Sequence, residues 1–269
     1  MAGAVKAEFR KFFTTRMWWG MAIGVFLAGA LFSIVFAVFV PGSRQQGGGG
    51  NSGPALPGLD NTAMVSTVYT AGLSLAYLLT LVVGVMAIGS EYRHKTITST
   101  FLSTPRRVRV MVAKVASLLG IGAFYGLVFL AGSVGAGGTA IAIKGFSPVP
   151  DAGPIARALA LSLLVLGLWS LIGLGAGILI PNQVAAILIA VGAAWILEPL
   201  LGFLLGLVSW GQSIVPYLPS QATTAMVGQI NTSTTVQPLS WWAGALVLVA
   251  YAAVLAGVGS VLTVRRDVT

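Results

Sequence analysis

Six long apolar stretches limit what this chain can fold into. Each has about twenty or more consecutive, mostly apolar residues, the length that an α-helix needs to cross the hydrocarbon core of a bilayer. Charged residues make up only 8% of the chain, against about 25% in soluble domains. The sequence therefore predicts an all-α integral membrane protein with six transmembrane helices in a single transmembrane domain, residues 1–269. The predicted spans are residues 17–40, 64–88, 110–131, 155–180, 184–208 and 241–264.

The segment before the first span has the pattern of an amphipathic helix. Over residues 3–16, Val5, Phe9, Phe12 and Phe13 recur at helical spacing on one side, and basic residues occupy the other. A helix of this kind lies in the membrane interface with its apolar face buried. We therefore expect an interface helix on the cytoplasmic side, with Phe9, Phe12 and Phe13 on its apolar face.

The distribution of Lys and Arg predicts the orientation of the spans. The loop between the second and third spans, residues 89–114, is strongly basic and contains His94, the only histidine. Short loops rich in Lys and Arg remain on the cytoplasmic side. Placing this loop and both termini in the cytoplasm leaves only Arg44, Lys144 and Arg157 outside. We expect a multi-pass protein of the plasma (inner) membrane with both termini cytoplasmic, whose excess positive charge reflects topology and lipid headgroups rather than nucleic-acid binding.

Within this basic loop the residues predict a short helix followed by a break. Ile97 and Phe101 lie four residues apart, so that they would share one apolar face. Thr104 and Pro105 have the pattern of a helix N-cap followed by proline at the first helical position. Two interpretations remain open from these residues. The segment docks onto a soluble partner, or it is a basic loop bound to anionic lipid headgroups.

The same loop resembles a known family. A glutamate after the second span (Glu91), the Leu-x-x-Pro-x-Arg turn of Leu102, Pro105 and Arg107, and Lys114 at the start of the third span are similar to the cytoplasmic loop of type-two ATP-binding-cassette (ABC) exporter permeases. In that family this segment is the coupling helix, which sits in a groove of the ATPase subunit. The resemblance implies that the docking residues are Glu91, Arg93, His94, Thr96, Ile97, Phe101 and Leu102.

The resemblance also implies the partners. They are two separate ABC ATPase subunits, which bind ATP and Mg²⁺, and a second permease forming a homodimer or a heterodimer with this chain; the chain itself binds no cofactor. The helix over residues 3–16 corresponds to the elbow helix of the family. The proline-marked segment at residues 209–240 corresponds to re-entrant helices that close the outer end of the pathway, although a surface loop fits these residues equally well.

Polar residues within the spans are the candidates for a transport pathway. The outer half of the second span is rich in hydroxyl groups and includes Tyr69 and Tyr77. Glu198, followed by Pro199, is the one acid within a predicted span. It is interpreted either as a substrate or gating contact beside a proline kink, or as a polar group at a helix end that joins the outer segment. A proton relay would require further ionisable groups in the spans.

The glycines favour close packing of helices. Four G-x-x-x-G pairs occur in the predicted spans, and such pairs permit two helices to approach closely. We expect them to pack within the bundle rather than to form a specific dimer face. The pairs are Gly20/Gly24, Gly122/Gly126, Gly173/Gly177 and Gly202/Gly206.

Catalytic motifs do not occur in the sequence. It has no Walker A motif, no cysteine and no second histidine, so that an enzyme, including an intramembrane one, is not predicted. The predicted function is that of a permease subunit of an ABC exporter moving an amphipathic drug, peptide or lipid outward. The alternative is a self-sufficient secondary carrier or channel, which predicts several ionisable residues at mid-membrane or a matched pair of broken helices in the two halves.

Overall fold

The computed structural model describes residues 2–40, 57–93, 107–230 and 237–265. In these residues all the regular secondary structure is helical, with short connections between helices and no strand. Six helices are long and apolar enough to cross a membrane, which confirms the prediction of a multi-pass, all-α protein. The α-helices are α1 Ala2–Phe13, α2 Met17–Phe39, α3 Thr62–Thr70, α4 Leu73–Arg93, α5 Arg107–Ile143, α6 Ala152–Leu179, α7 Gln183–Gly192, α8 Glu198–Gly206, α9 Ser209–Gln212, α10 Pro219–Val227 and α11 Trp241–Arg265.

The fourth span, α6, is the centre of the bundle. It packs against α4, α5 and α11, and most of its middle part is buried. Its contact with α4 depends on glycine, because a Cβ at Gly84 would lie 1.9 Å from the Ser170 carbonyl oxygen, and one at Gly173 would lie 2.0 Å from that of Leu81. With Gly177, where a Cβ would lie 2.9 Å from the Val85 carbonyl oxygen, the two backbones are in contact over about two turns.

The predicted G-x-x-x-G pairs differ in their surroundings. A Cβ at Gly122 would lie 2.4 Å from Gly167, and Gly126 and Gly177 have similarly close neighbours within the bundle. These contacts fit the expected packing role. Gly20 and Gly206 have no such neighbour within 4 Å, so that packing within the described chain does not explain those two glycines.

The third span is longer than its sequence indicates. Helix α5 continues past residue 131, the predicted end of the span, through the glycine-rich residues 132–138 to Ile143. Two of the glycines lie against α2, since a Cβ at Gly132 would be 2.4 Å from the Phe26 carbonyl oxygen and one at Gly137 would be 2.9 Å from the Ser33 Cβ, whereas Gly135 has no neighbour within 4 Å. Close packing of two helices, rather than a flexible connection, accounts for this glycine run.

The second span is interrupted at Ala71 and Gly72, between α3 and α4. A Cβ at Gly72 would lie 2.1 Å from the Ala28 carbonyl oxygen of α2, so that only glycine fits there. The Thr70 carbonyl at the break accepts a hydrogen bond of 2.8 Å from Gln229 Nε2. The hydroxyl-rich outer half of this span is thus used in part to hold the loop after α10.

The fifth span has a different irregularity. Between α7 and α8 the residues Ala193–Leu197 form a π-helical turn, in which the Glu198 amide donates to the Ala193 carbonyl. Pro199 has no amide to donate to the carbonyl four residues earlier, and the wider turn accommodates this loss. After α8 comes the segment predicted to lie outside, residues 209–240, which we call the outer segment. It forms short helices, one of the two possibilities that the sequence left open, and of these α10 packs against α6 and α11.

Candidate functional site

Four charged side chains meet where the basic loop leaves and enters the bundle. Glu8 and Lys11 come from α1, Glu91 from the end of α4 and Lys114 from the beginning of α5, and we refer to them as the junction cluster. Lys114 Nζ lies 2.7 Å from Glu8 Oε2 and 3.0 Å from Glu91 Oε1. Lys11 Nζ also donates to Glu91 Oε1. The cluster therefore connects three helices through two carboxylates and two ammonium groups, of which Glu91 and Lys114 each make two ion pairs.

The two central members of the junction cluster are buried. The side chains of Glu91 and Lys114 are only 2% and 1% exposed. Removing an ion from water costs several kcal/mol, and a buried pair is favourable only where further hydrogen bonds satisfy it. Lys114 Nζ meets this condition, because it also donates to the Ala87 carbonyl at 3.3 Å and so has three acceptors for its three protons. The cluster thus fixes the relative positions of α1, α4 and α5.

The aromatic face of α1 packs against α5. The rings of Phe12 and Tyr125 are 6.0 Å apart at 90°, and those of Phe13 and Phe124 are 5.5 Å apart at 83°. Phe9 covers Gly120, where a Cβ would lie 2.6 Å from its ring. The side chains predicted for the membrane interface therefore lie largely against the third span, a contact that amphipathicity alone does not specify.

The predicted docking residues lie in different environments. Glu91 is inside the junction cluster, so that in this conformation its carboxylate bonds to lysines of the chain itself. Arg93 is exposed at the end of α4. The other predicted docking residues are outside the described part of the chain: they are His94, Thr96, Ile97, Phe101 and Leu102. Sequence reasoning missed Glu8 and Lys11, although their i, i+3 spacing on α1 was a usable signal.

The two tyrosines proposed for the pathway are buried by protein contacts. The Tyr69 hydroxyl donates to the Pro148 carbonyl at 2.7 Å and so holds α3 against the connection before α6. Tyr77 stacks on Trp169 with ring centroids 4.0 Å apart and an interplanar angle of 12°. Trp169 in turn donates from Nε1 to Thr223 Oγ1 of α10 at 2.9 Å. In this conformation these side chains connect the spans to the outer segment.

Glu198 joins the fifth span to the outer segment. Its Oε1 accepts a hydrogen bond from the Ser220 amide in the first turn of α10. A carboxylate is favourable there, because the first amides of a helix have no partner within the helix and carry its positive dipole end. This contact agrees with the second of the two sequence interpretations of Glu198, that of a polar group at a helix end.

Glu198 also lines a cavity of about 380 Å³ between the second, fourth, fifth and sixth spans. Most of its walls are apolar and include Leu81, Ile172, Ala194 and Leu255. The fifth span forms one side of the cavity, and the Pro219 end of α10 forms part of its border. The side chain of Glu198 is 7% exposed, so that a deeply placed acid faces an apolar chamber.

Comparisons with other proteins do not identify a relative. No family model, no curated protein and no solved structure matches the chain. Nor does any group of three or more His, Cys, Asp or Glu side chains within the described ranges have the arrangement of a metal site. Functional inference therefore depends on the junction cluster, the helix irregularities and the cavity.

Proposed function

We propose that the chain is the permease subunit of an ABC exporter that moves an amphipathic substrate outward across the plasma (inner) membrane. The observation that carries this proposal is the junction cluster. Helices α4 and α5 flank the basic loop, and the cluster ties both of them to α1 through Glu91 and Lys114. A force applied to the loop by a partner would therefore act on three helices together rather than on a flexible connection.

A continuous set of contacts leads from that loop toward the opposite end of the bundle. Helix α4 extends from the junction cluster to the break at Ala71 and Gly72, where Gln229 bonds to Thr70. The loop of Gln229 follows α10, which is bound to Glu198 of the fifth span. In the proposed mechanism, ATPase subunits close on ATP and Mg²⁺ and push on the loop, and this movement reaches the outer segment through packed elements.

The proposed assembly contains two ATPase subunits and a second permease, identical or different. Many large apolar side chains on α2, α7 and α8 are exposed in the single chain, so that lipid or a second permease would cover them. Both termini and the basic loop would lie in the cytoplasm, with α1 at that interface and the short outer helices on the other side. The positive-inside distribution of Lys and Arg supports this orientation.

One observation favours the alternative of a secondary carrier. The break at Ala71 and Gly72 in the second span and the π-turn Ala193–Leu197 in the fifth occur at corresponding points of the two halves, each about three turns after the span begins. Matched discontinuous helices are a feature of carriers with inverted repeats. A carrier also needs ionisable groups that bind its coupling ions. The described spans contain one acid well within them, Glu198, whereas the carrier alternative predicts several.

Purification and reconstitution separate the two functions. We expect a soluble ATPase to co-isolate in stoichiometric amount with the chain from its native membranes, and its ATP hydrolysis to respond to the permease. The exporter proposal is overturned if the chain alone performs full transport in liposomes under an ion gradient and without ATP.

A substitution in the loop tests the docking surface within that complex. Phe101→Asp places a charge on the predicted apolar face, and we expect it to abolish stimulation of the ATPase while membrane insertion remains normal. Phe101→Leu keeps an apolar side chain of similar reach and serves as the matched control. If stimulation persists in Phe101→Asp, the docking assignment is wrong.

A further inference from the structure

The cavity beside Glu198 has the construction of a ligand site. Its volume of about 380 Å³ falls within the range of small-molecule pockets, which are typically apolar with a few fixed polar groups. Side chains from the second, fourth, fifth and sixth spans line it, and Leu218 and Pro219 of the outer segment border it. It is open along the fifth span, where Leu197 is 51% exposed. A molecule bound there would contact both the spans and the outer segment.

Charge distinguishes this cavity from an ordinary gap between helices. No Lys or Arg of the described residues lies within ion-pair distance of Glu198, whereas Glu8 and Glu91 both pair with lysine. The N-terminus of α10 supplies only a partial positive charge, on the order of half an elementary charge. An ionised carboxylate at this position therefore lacks a full counter-charge from the described part of the chain.

The aromatic side chains of the cavity suit the same kind of ligand. Trp169 and Tyr251 both line it, and the ring of Trp169 is held in place by its stack on Tyr77 and by its hydrogen bond to Thr223. A cation is attracted to the face of an aromatic ring, most strongly where water is excluded. Apolar walls, one acid and two aromatic rings are together complementary to an organic cation.

We propose that this cavity binds a lipophilic monovalent cation, such as an amphipathic amine or quaternary ammonium compound, whose charged nitrogen lies beside Glu198 and whose apolar part fills the chamber. The proposal narrows the substrate class of the exporter and, as a statement about transport, rests on that proposed function. As a statement about binding it concerns only this chain. A neutral lipid chain would fill the apolar walls equally well but would not depend on the charge of Glu198.

Binding to the full chain in lipid nanodiscs tests the proposal without the ATPase. The probe is 4-phenylbutyltrimethylammonium, and its control is the uncharged analogue in which carbon replaces the ammonium nitrogen. We expect saturable binding of the cation in equilibrium dialysis, corrected for empty nanodiscs, and much weaker saturable binding of the analogue. Glu198→Gln keeps an acceptor for the Ser220 amide but removes the charge, and should weaken cation binding on the order of tenfold or more.

Two further variants separate the cavity from general effects. Asp60→Asn removes the charge of an exposed acid that is not among the residues lining this cavity, and should leave cation binding unchanged. Ala194→Leu fills the cavity without altering charge, and should reduce binding of the cation. The proposal is overturned if the wild-type chain shows no saturable cation binding, if Glu198→Gln binds like the wild type, or if both probes bind equally. Since no ATPase is present, these outcomes are independent of the co-isolation result.

Discussion

At the residue scale, the junction cluster joins segments far apart in sequence by charge rather than by apolar packing. Glu91 and Lys114 lie near the two ends of the basic loop, 23 residues apart, and Glu8 comes from the start of the chain. Both central groups are buried, and each has two ion partners: Lys114 pairs with Glu8 and Glu91, and Glu91 pairs with Lys11 and Lys114. Loss of either one leaves the other buried ion with a single, more exposed partner, Glu8 for Lys114 or Lys11 for Glu91, and the cost of the two losses should therefore not be additive.

A double-mutant cycle at Glu91 and Lys114 tests this dependence. We expect Glu91→Gln and Lys114→Met each to lower the free energy of unfolding by roughly 1.5–3 kcal/mol, since the remaining ion keeps one partner, and the double variant to lose clearly less than the sum of the two. The measurement is unfolding in mixed micelles followed by circular dichroism. Asp60→Asn, at an exposed acid, should change the same free energy by less than about 0.5 kcal/mol. Additive losses would show that the two groups do not interact.

At the element scale, backbone contact between α4 and α6 determines the shape of the bundle. These helices meet at Gly84 and Gly173, where even a methyl group would overlap a carbonyl oxygen of the facing helix. Interfaces of this kind are stabilised by close van der Waals packing, since lipid tails are as apolar as the side chains themselves. The position of α4, which leads to the basic loop, is therefore specified by glycine.

Gly173→Ala tests that contact. Its Cβ would lie 2.0 Å from the Leu81 carbonyl oxygen, so that the helices must separate, and we expect a loss of roughly 1–3 kcal/mol in the free energy of unfolding. Gly20→Ala is the matched control, because a Cβ at Gly20 has no neighbour within 4 Å. Alanine favours a helix over glycine, and the control should be neutral or slightly stabilising, by up to about 1 kcal/mol. Equal thermal denaturation of the two variants would contradict the packing argument.

The same elements show what could be predicted from the sequence. Hydropathy identifies the six spans, since apolar length is a property of local composition. It does not identify the extension of α5 to Ile143, because a glycine run has the same composition in a loop and in a tight helix contact. It also misses the role of Thr70, whose carbonyl bonds to Gln229, 159 residues away. The junction cluster and the cavity likewise depend on tertiary neighbours, which a local pattern does not specify.

At the scale of the whole molecule, the orientation of the spans can be measured directly because the chain contains no cysteine. Single cysteines introduced at Ser147 and Thr14, both exposed in the structure, should behave differently toward a membrane-impermeant thiol reagent. We expect labelling of Ser147→Cys in intact cells, and labelling of Thr14→Cys only in inverted vesicles. The reverse pattern would show that the basic loop faces outward, and it would remove the ATPase-docking proposal with it.

The π-turn at Ala193–Leu197 has a consequence for any comparison of this chain with others. Relative to a continuous α-helix it inserts one residue, which offsets the faces of α7 and α8 by about 100°. A helical wheel drawn without interruption from Gln183 to Gly206 consequently assigns the wrong direction to Glu198. Without this extra residue, the acid corresponding to Glu198 would be rotated away from the cavity and from Ser220. An alignment across this span should therefore allow a one-residue gap, so that homologues with and without the π-turn are compared correctly.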